Sequence, residues 1–525
     1  MRRVLIALAL SGVAASAQAP ERGVFVVRVG PDTVAVEQVS HAGTRFDSHL
    51  LMRTPLLRIR QEVTTDDSNA VTRAVTLIGN PAQGNGTPRR AELVFRGDSA
   101  VAHVVDSGST SAIPDQRFRV DRGALPFVNL SGLSLELLLR RARSLGGDTA
   151  VVPVLLLGGQ TLAASVIGLG RDSAIVVMGG VTLRARVDAE GHLLGARVPS
   201  QGVTFERLPV GAAQSWTPVR RVGYDPPPGA PYTAEEVRLR TPAGLTLVGT
   251  LTMPAAPLRA KLPAVVLITG SGPEDRDESS ALLPSGYRPF RDIADTLTRR
   301  GIAVLRLDDR GVGGSDAGPA TATSADLADD VRAAVAWLRT RPEVDPARVG
   351  LVGHSEGGII APLVAASDRR VRAIVLLAGT ASRGRVIADA QIRAYFAHDT
   401  SVPPARRDSM LALALRQADS AYAAPGWLHW FADYDPLPTA RRVTVPTLIL
   451  QGETDRQVPM SEAARLAAAM RAAGNRHVTL RTFPRLNHLL LDDARGDVRG
   501  YGALTDLHVR RDLLGMLADW LARTL

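Results

Sequence analysis

The ten residues Val349-Gly350-Leu351-Val352-Gly353-His354-Ser355-Glu356-Gly357-Gly358 leave the backbone few choices. An apolar run suited to a strand buried on both faces meets Gly353, and after three intervening residues a pair of glycines follows. A strand that passes into a helix within this span turns so tightly that its central residue is strained and its neighbours carry no bulk. Ser355 holds that central place. Its hydroxyl is predicted to stand above a sheet edge at a helix N-terminus, where the dipole favours developing negative charge. The pattern G-x-S-x-G in this strand–turn–helix setting makes Ser355 a candidate nucleophile.

A serine needs a base, and the base needs a carboxylate to orient it. With the nucleophile first in the chain, acid and then base should follow, each just past a strand end. Thr447-Leu448-Ile449-Leu450 is such a strand, and Gln451-Gly452-Glu453-Thr454-Asp455 follows it. Phe483-Pro484-Arg485-Leu486-Asn487-His488 follows the last strand in the same way. Asp455 and His488 are therefore the predicted acid and base. Glu453, Asp433 and Asp435 compete for the first role. For the second, His477 lies at the wrong end of its strand, and His429 falls in a helical insertion. His354 adjoins the serine but is expected to point elsewhere.

The hydrophobic pattern divides the chain. Segments such as Val24–Val29, Thr33–Glu37, Ala91–Phe95, Ser173–Met178 and Val181–Val187 alternate and are separated by Gly, Asp and Pro turns. They predict an antiparallel β-rich region with one helix, Leu133–Ser144. No period of the length of a propeller blade recurs. The segment 80–88 is rich in Gly, Asn and Pro and predicts a loop. Asp225-Pro226-Pro227-Pro228-Gly229-Ala230-Pro231 is a stiff linker. Beyond it, short apolar runs at 264–269, 303–307, 349–352, 373–377, 447–450 and 478–482 alternate with helical stretches. That is the pattern of a doubly wound, mostly parallel sheet. The predicted organisation is a signal peptide at 1–19, a β-rich domain at 20–224, a linker at 225–234 and an α/β domain at 235–525.

Composition narrows the classes further. The net charge of +10 comes from scattered arginines, with no basic block or nucleic-acid motif. The 525 residues include no cysteine, which excludes disulfides, thiol nucleophiles and lipidation at a cysteine. Arg2 and Arg3, the apolar run from Val4 to Val13, and Ala17-Gln18-Ala19 resemble a secretory leader cut after Ala19. An exported, periplasmic or extracellular protein without integral membrane contact is expected. No phosphate loop, dinucleotide fingerprint or metal-spaced histidines occur, so no cofactor is expected.

With these residues in view, positions 235–525 resemble the α/β-hydrolase superfamily, near its serine-aminopeptidase-like and dienelactone-hydrolase-like branches. Gly452-x-x-Asp455-x-x-Val458-Pro459 matches the acid loop, and Asp308-Asp309-Arg310-Gly311-Val312-Gly313-Gly314-Ser315 matches a D-x-R-G-x-G-x-S loop. Thr269-Gly270-Ser271-Gly272-Pro273 stands where the family has a His-Gly oxyanion loop, but lacks that histidine. The resemblance implies Glu356 N–H as one oxyanion donor and Ser271 or Gly272 as the other. It implies that Asp308, Asp309 and Arg310 pin neighbouring loops. The acidic run Glu274–Glu278 is either a substrate selector or a solvated loop. A lid is expected at about 380–442, where Trp427, Trp430 and Phe431 are candidates to line a substrate pocket. The implied reaction is acyl transfer to water on a small ester. A peptidase of the prolyl-oligopeptidase or aminopeptidase type and a non-catalytic binding protein on the same fold are the alternatives.

Overall fold

The computed structural model describes residues 21–525 apart from 30–31, 53–56, 80–88, 106–114, 157–160, 169–170, 210–222, 256–259, 280–282, 284–285, 320, 399–403 and 424–425. The leader expected at 1–19 and the loop expected at 80–88 lie outside the described residues.

Alternating strands bury one face and pair antiparallel without crossovers. Fifteen strands between Glu21 and Leu208 form one continuous sheet, antiparallel throughout except for Leu125–Phe127, which pairs parallel with Thr149–Leu156 after the crossover helix Gly132–Leu145. Its order runs from Gln116–Arg119 back to Glu21–Val29, across to Val203–Leu208, and on to Leu125–Phe127. The first and last strands thus join two meanders in the middle of the sheet. The inward faces of both meanders share one core with the helix Gly132–Leu145. Leu133, Leu135, Leu137, Leu138 and Leu139 are all buried, so leucines on several faces of this helix are satisfied by enclosure. Buried Glu37 holds its N-terminus, accepting from Ser131 Oγ at 2.7 Å and from the N–H groups of Gly132 and Leu133 at 2.6 and 3.1 Å.

The second half is built on eight strands: β1 (Tyr232–Arg240), β2 (Thr246–Pro254), β3 (Leu262–Ile268), β4 (Ala303–Leu307), β5 (Val344–His354), β6 (Ala373–Leu377), β7 (Thr447–Gly452) and β8 (Val478–Phe483). Tyr232 is buried and already paired with Pro254, so the last three residues of the expected linker belong to β1. The sheet order is β1-β2-β4-β3-β5-β6-β7-β8. Only β2 runs antiparallel to its neighbours.

The helices are α1 (Pro289–Arg299), α2 (Ser324–Thr340), α3 (Gly357–Ala365), α4 (Gly384–His398), α5 (Pro404–Ala423), α6 (Trp427–Asp433), α7 (Pro436–Ala440), α8 (Met460–Ala472) and α9 (Arg511–Thr524). One sheet face packs on α2, α3 and α8, the other on α1 and α9. This is the α/β-hydrolase fold, preceded by an antiparallel sheet.

Helices α4 to α7 fill the span between β6 and β7 where a lid is expected. They also reach the first-half sheet. Ile175 and Val177 pack with Phe396, Met410 and Ala414, and Gln417 Nε2 donates to Ser165 Oγ at 2.8 Å. No helix among the described residues is long and apolar enough to cross a membrane.

Candidate active site

Strand β5 ends at His354 and α3 begins at Gly357, so two residues make the turn. Ser355 takes a φ of 52°, a left-handed conformation that costs a non-glycine residue on the order of 1–3 kcal/mol. Its N–H donates to Leu377 O at 2.8 Å, and its carbonyl accepts from Gly358 N–H at 2.9 Å. The flanking glycines are required by contact. A Cβ on Gly353 would stand 2.0 Å from Gly357 O, and one on Gly357 would stand 2.2 Å from Ile268 O.

Ser355 and His488 line one cavity of about 250 Å³. His488 Nδ1 lies 2.9 Å from Asp455 Oδ2, and both residues are buried. Asp455 is fixed on each oxygen. Oδ1 accepts the N–H groups of Gln457 and Val458 at 2.9 and 2.8 Å, and Oδ2 also accepts Gln451 Nε2 at 3.0 Å. The competing residues are occupied elsewhere. Glu453 accepts the Thr482 hydroxyl at 2.9 Å, Asp435 caps α7 at Leu437 N–H, and His429 Nδ1 meets Tyr422 O at 2.7 Å. His477 precedes β8, at the opposite end of that strand from His488.

Ser271 lines the Ser355 cavity, whereas Gly272, with a φ of 114°, is not among the residues that do. Gly270 N–H is committed to Glu274 Oε2 at 3.1 Å and Glu278 Oε1 at 2.9 Å. Glu356 precedes α3, and its side chain turns away to accept Ser324 Oγ at 2.5 Å and Trp427 Nε1–H at 2.7 Å. Burial pushes this carboxyl up to about 7 against those two hydrogen bonds.

Two expectations need correction. His354 does not point away from the site: its ring lines the cavity, 4.9 Å from the His488 ring. It sits at the last position of β5, before the turn reverses the chain, and faces the loop carrying His488. Its Nδ1 meets Glu278 Oε1 at 2.8 Å and its Nε2 donates to His488 O at 2.9 Å. Burial opposes its positive charge, but the Glu278 carboxylate, the His488 carbonyl and the Asp455 charge together outweigh this and raise its pKa.

The aromatic residues are the second correction. Trp427, Trp430 and Phe431 are not among the residues lining the Ser355 cavity. Trp427 stacks on Phe431 at 5.1 Å and Trp430 on Tyr434 at 4.3 Å. Phe431 also fills the space beside Gly384, where any Cβ would meet its ring. On a short helix these rings satisfy one another and the base of α4, and only the Trp427 indole reaches toward the nucleophile turn, through Glu356.

The acidic run is buried rather than solvated: Glu274, Arg276, Asp277 and Glu278 are each under 9 % exposed. Arg276 makes a two-pronged pair with Asp308 at 3.0 and 2.7 Å. Asp309 accepts Thr269 Oγ1 at 2.7 Å and Glu274 N–H at 2.9 Å, and Arg310 pairs with Asp330 at 2.6 and 2.8 Å. The D-x-R-G loop thus clamps the loop after β3 to its neighbours. Burial, then the charges of Glu278 and Asp309, push Glu274 well above the carboxylate range.

Several cavity residues escaped sequence reasoning. Glu274 and Glu278 were visible as a charged run beside the oxyanion loop. Tyr287, whose hydroxyl donates to Leu489 O at 3.0 Å, and Tyr501 carry no motif. Val29 ends a strand of the first-half sheet, and Gln201 lies in the turn between two of its central strands.

The described residues that could hold a metal, Glu21 with His41 and His192 and Asp188 with Glu190 and His192, lie in the first half, outside this cavity. His192 is taken up by Glu21 at 2.8 Å and Asp188 at 2.7 Å, and Arg207 stands 3.4 Å from Glu21, where its charge opposes a cation.

Residues 289–506 match the model of the prolyl oligopeptidase family. Esterase EstD of Thermotoga maritima is 27% identical over 283 residues, covering 53% of this chain and 66% of that protein. Polyketide transferase ATR5 of Stachybotrys chlorohalonatus is 33% identical over 150 residues, covering 28% of this chain and 46% of its own length. The chain thus spans from under half to just under two thirds of these curated relatives. Among solved structures, the Pyrococcus furiosus esterase Pf2001 covers 59% of this chain and 97% of itself, with 17% identity and a TM-score of 0.40.

Proposed function

We propose that this chain, a member of the α/β-hydrolase superfamily, is a serine hydrolase that cleaves carboxylic esters through an acyl-enzyme. The observation that carries the reading is the strained Ser355, at a φ of 52°, sharing a cavity with a histidine whose Nδ1 is 2.9 Å from a fully hydrogen-bonded aspartate. In this mechanism His488 Nε2 takes the Ser355 proton as Oγ attacks the ester carbonyl. Asp455 holds the ring and stabilises the imidazolium that forms. In this reading the tetrahedral oxygen is met by the N–H groups of Glu356 and of Ser271, which lines the same cavity, whereas Gly270 N–H is taken by two carboxylates. His488 then protonates the leaving alcohol, and water, activated by the same base, clears the acyl group.

A second reading, peptide hydrolysis, is favoured by the match to the prolyl oligopeptidase family over 289–506. The ester reading is preferred because the match to an esterase covers a longer stretch of this chain, 283 residues.

The test is turnover of p-nitrophenyl esters beside aminoacyl- and prolyl-p-nitroanilides by the wild type and Ser355→Ala. Ester turnover lost in the variant supports the first reading. Faster anilide cleavage transfers the assignment to the second. Absence of both, with no fluorophosphonate labelling of Ser355, defeats the enzyme reading.

A further inference from the structure

A second cavity, of about 450 Å³, lies between the helices α4 to α6 and the first-half sheet. It adjoins the Ser355 cavity, because Gln201, Gln457 and Val498 form part of the wall of both. Its lining is mostly apolar. Leu162 and Val181 come from the sheet, and Ala388, Ile392 and Leu428 from the helices. The hairpin tip Gly179-Gly180 closes one side, with Ile392 so near that a Cβ on Gly180 would stand 3.0 Å from it. The Ser355 cavity alone is smaller than a typical ligand site, whereas the two together fall within the usual range.

We infer that this second cavity is the subsite for an extended apolar chain of the substrate, with one wall supplied by the β-rich half. The inference rests on the serine-hydrolase reading and gives it a substrate class: esters carrying a medium-length alkyl chain. An apolar chain reaching past Gln201 and Val498 exchanges water for Leu162, Val181 and Ile392. Each methylene so buried raises kcat/KM roughly fourfold. Gln391, Arg456 and Asp497 also line the second cavity, and the polar pair Gln201 and Gln457, shared with the Ser355 cavity, marks where the chain leaves the reacting centre.

The experiment compares two substrate series on the full chain. p-Nitrophenyl esters from acetate to octanoate vary the acyl chain, and alkyl acetates from ethyl to octyl vary the alcohol. One series should gain at least tenfold in kcat/KM with length, and which one assigns the chain to the acyl or the alcohol side. Leu162→Trp and Ala388→Trp narrow the cavity from opposite walls, so a folding failure in one leaves the other. Each should lower the octyl-to-short ratio at least tenfold, while Val386→Trp, 54% exposed on the same helix as Ala388, should leave it unchanged. No gain in either series, or ratios unmoved by both tryptophans, overturns the inference. Alkyl fluorophosphonates of two lengths separate this from failure of the underlying reading. Labelling of Ser355 at equal rates defeats the subsite alone, faster labelling by the long reagent supports it, and no labelling defeats both.

Discussion

Nε2 of His354 donates to the backbone carbonyl of His488 at 2.9 Å, so the residue before the proposed nucleophile Ser355 holds the loop that carries the proposed base. The other ring nitrogen meets Glu278, whose same oxygen accepts Gly270 N–H. Three loops therefore meet on one imidazole. His354 is a positioning residue, and His354→Ala should lower kcat on the order of 10²-fold, the effect of a small misplacement of the base. KM should move much less. His354→Gln, which can still donate to the carbonyl, should recover part of the loss. A kcat equal in the wild type and His354→Ala would refute this role.

Asp455 hydrogen-bonds His488 Nδ1 and, on the proposed mechanism, orients it; its remaining lone pairs are filled by Gln451, Gln457 and Val458. Asp455→Asn should keep the fold and lower kcat by about 10⁴, the effect of presenting the wrong tautomer in comparable triads. Glu453→Gln should change kcat by less than about twofold. Steady-state kinetics on one ester, with thermal melts as a folding check, decides between the two carboxylates.

Glu356 titrates near 7 in the folded chain because it is buried, against an ordinary value of 4.5. Between those values the folded state holds the proton more tightly than the unfolded one. Its contribution to stability is thus full below about pH 4.5, falls as pH rises toward 7, and is flat beyond. Glu356→Gln keeps the backbone N–H and removes the buried charge. It should match the wild type at pH 4 and be more stable at pH 8, by on the order of 1–3 kcal/mol. Melting temperatures at the two pH values measure this, and a variant less stable at pH 8 would contradict it.

Gly353 has no room for a methyl group beside the Gly357 carbonyl. Gly353→Ala should destabilise the hydrolase half by several kcal/mol, more than the ~1–3 usual for overpacking, because the obstacle is backbone. Differential scanning fluorimetry of Gly353→Ala against Gly474→Ala, at a position with open space, separates crowding from backbone strain. Equal losses would place the cost in backbone freedom instead.

Trp430→Ala should leave the short-ester KM within about twofold, because this ring stacks on Tyr434 and does not line the Ser355 cavity. A large rise in KM would return the lid aromatics to the substrate pocket.

The sequence is most legible where chemistry and sterics coincide. The turn at Ser355 and the loops ending in Asp455 and His488 are written as glycines, strand ends and chain order, all local. His354 was harder: its direction depends on how tightly the turn is wound, which the residue string does not state. The lid aromatics misled because a cluster of rings looks alike whether it faces a ligand or itself, and only the partners at 4.3 and 5.1 Å tell which. Val29 and Gln201 were invisible for a different reason. They lie more than a hundred residues from the nucleophile, and their place depends on how a fifteen-stranded sheet docks on the second half.

Because Val29 and Gln201 wall the Ser355 cavity, the proposed subsite gives substrate choice a second address, in the first-half sheet. On the proposed mechanism, substitutions in that sheet should retune selectivity while Ser355, His488 and Asp455 stay untouched. Diversifying the Gly179-Gly180 hairpin and its neighbours is then a safer route to new substrates than altering the loops around Ser355. By the same geometry, the second half produced alone would lack Val29, Gln201 and the sheet wall of the neighbouring cavity.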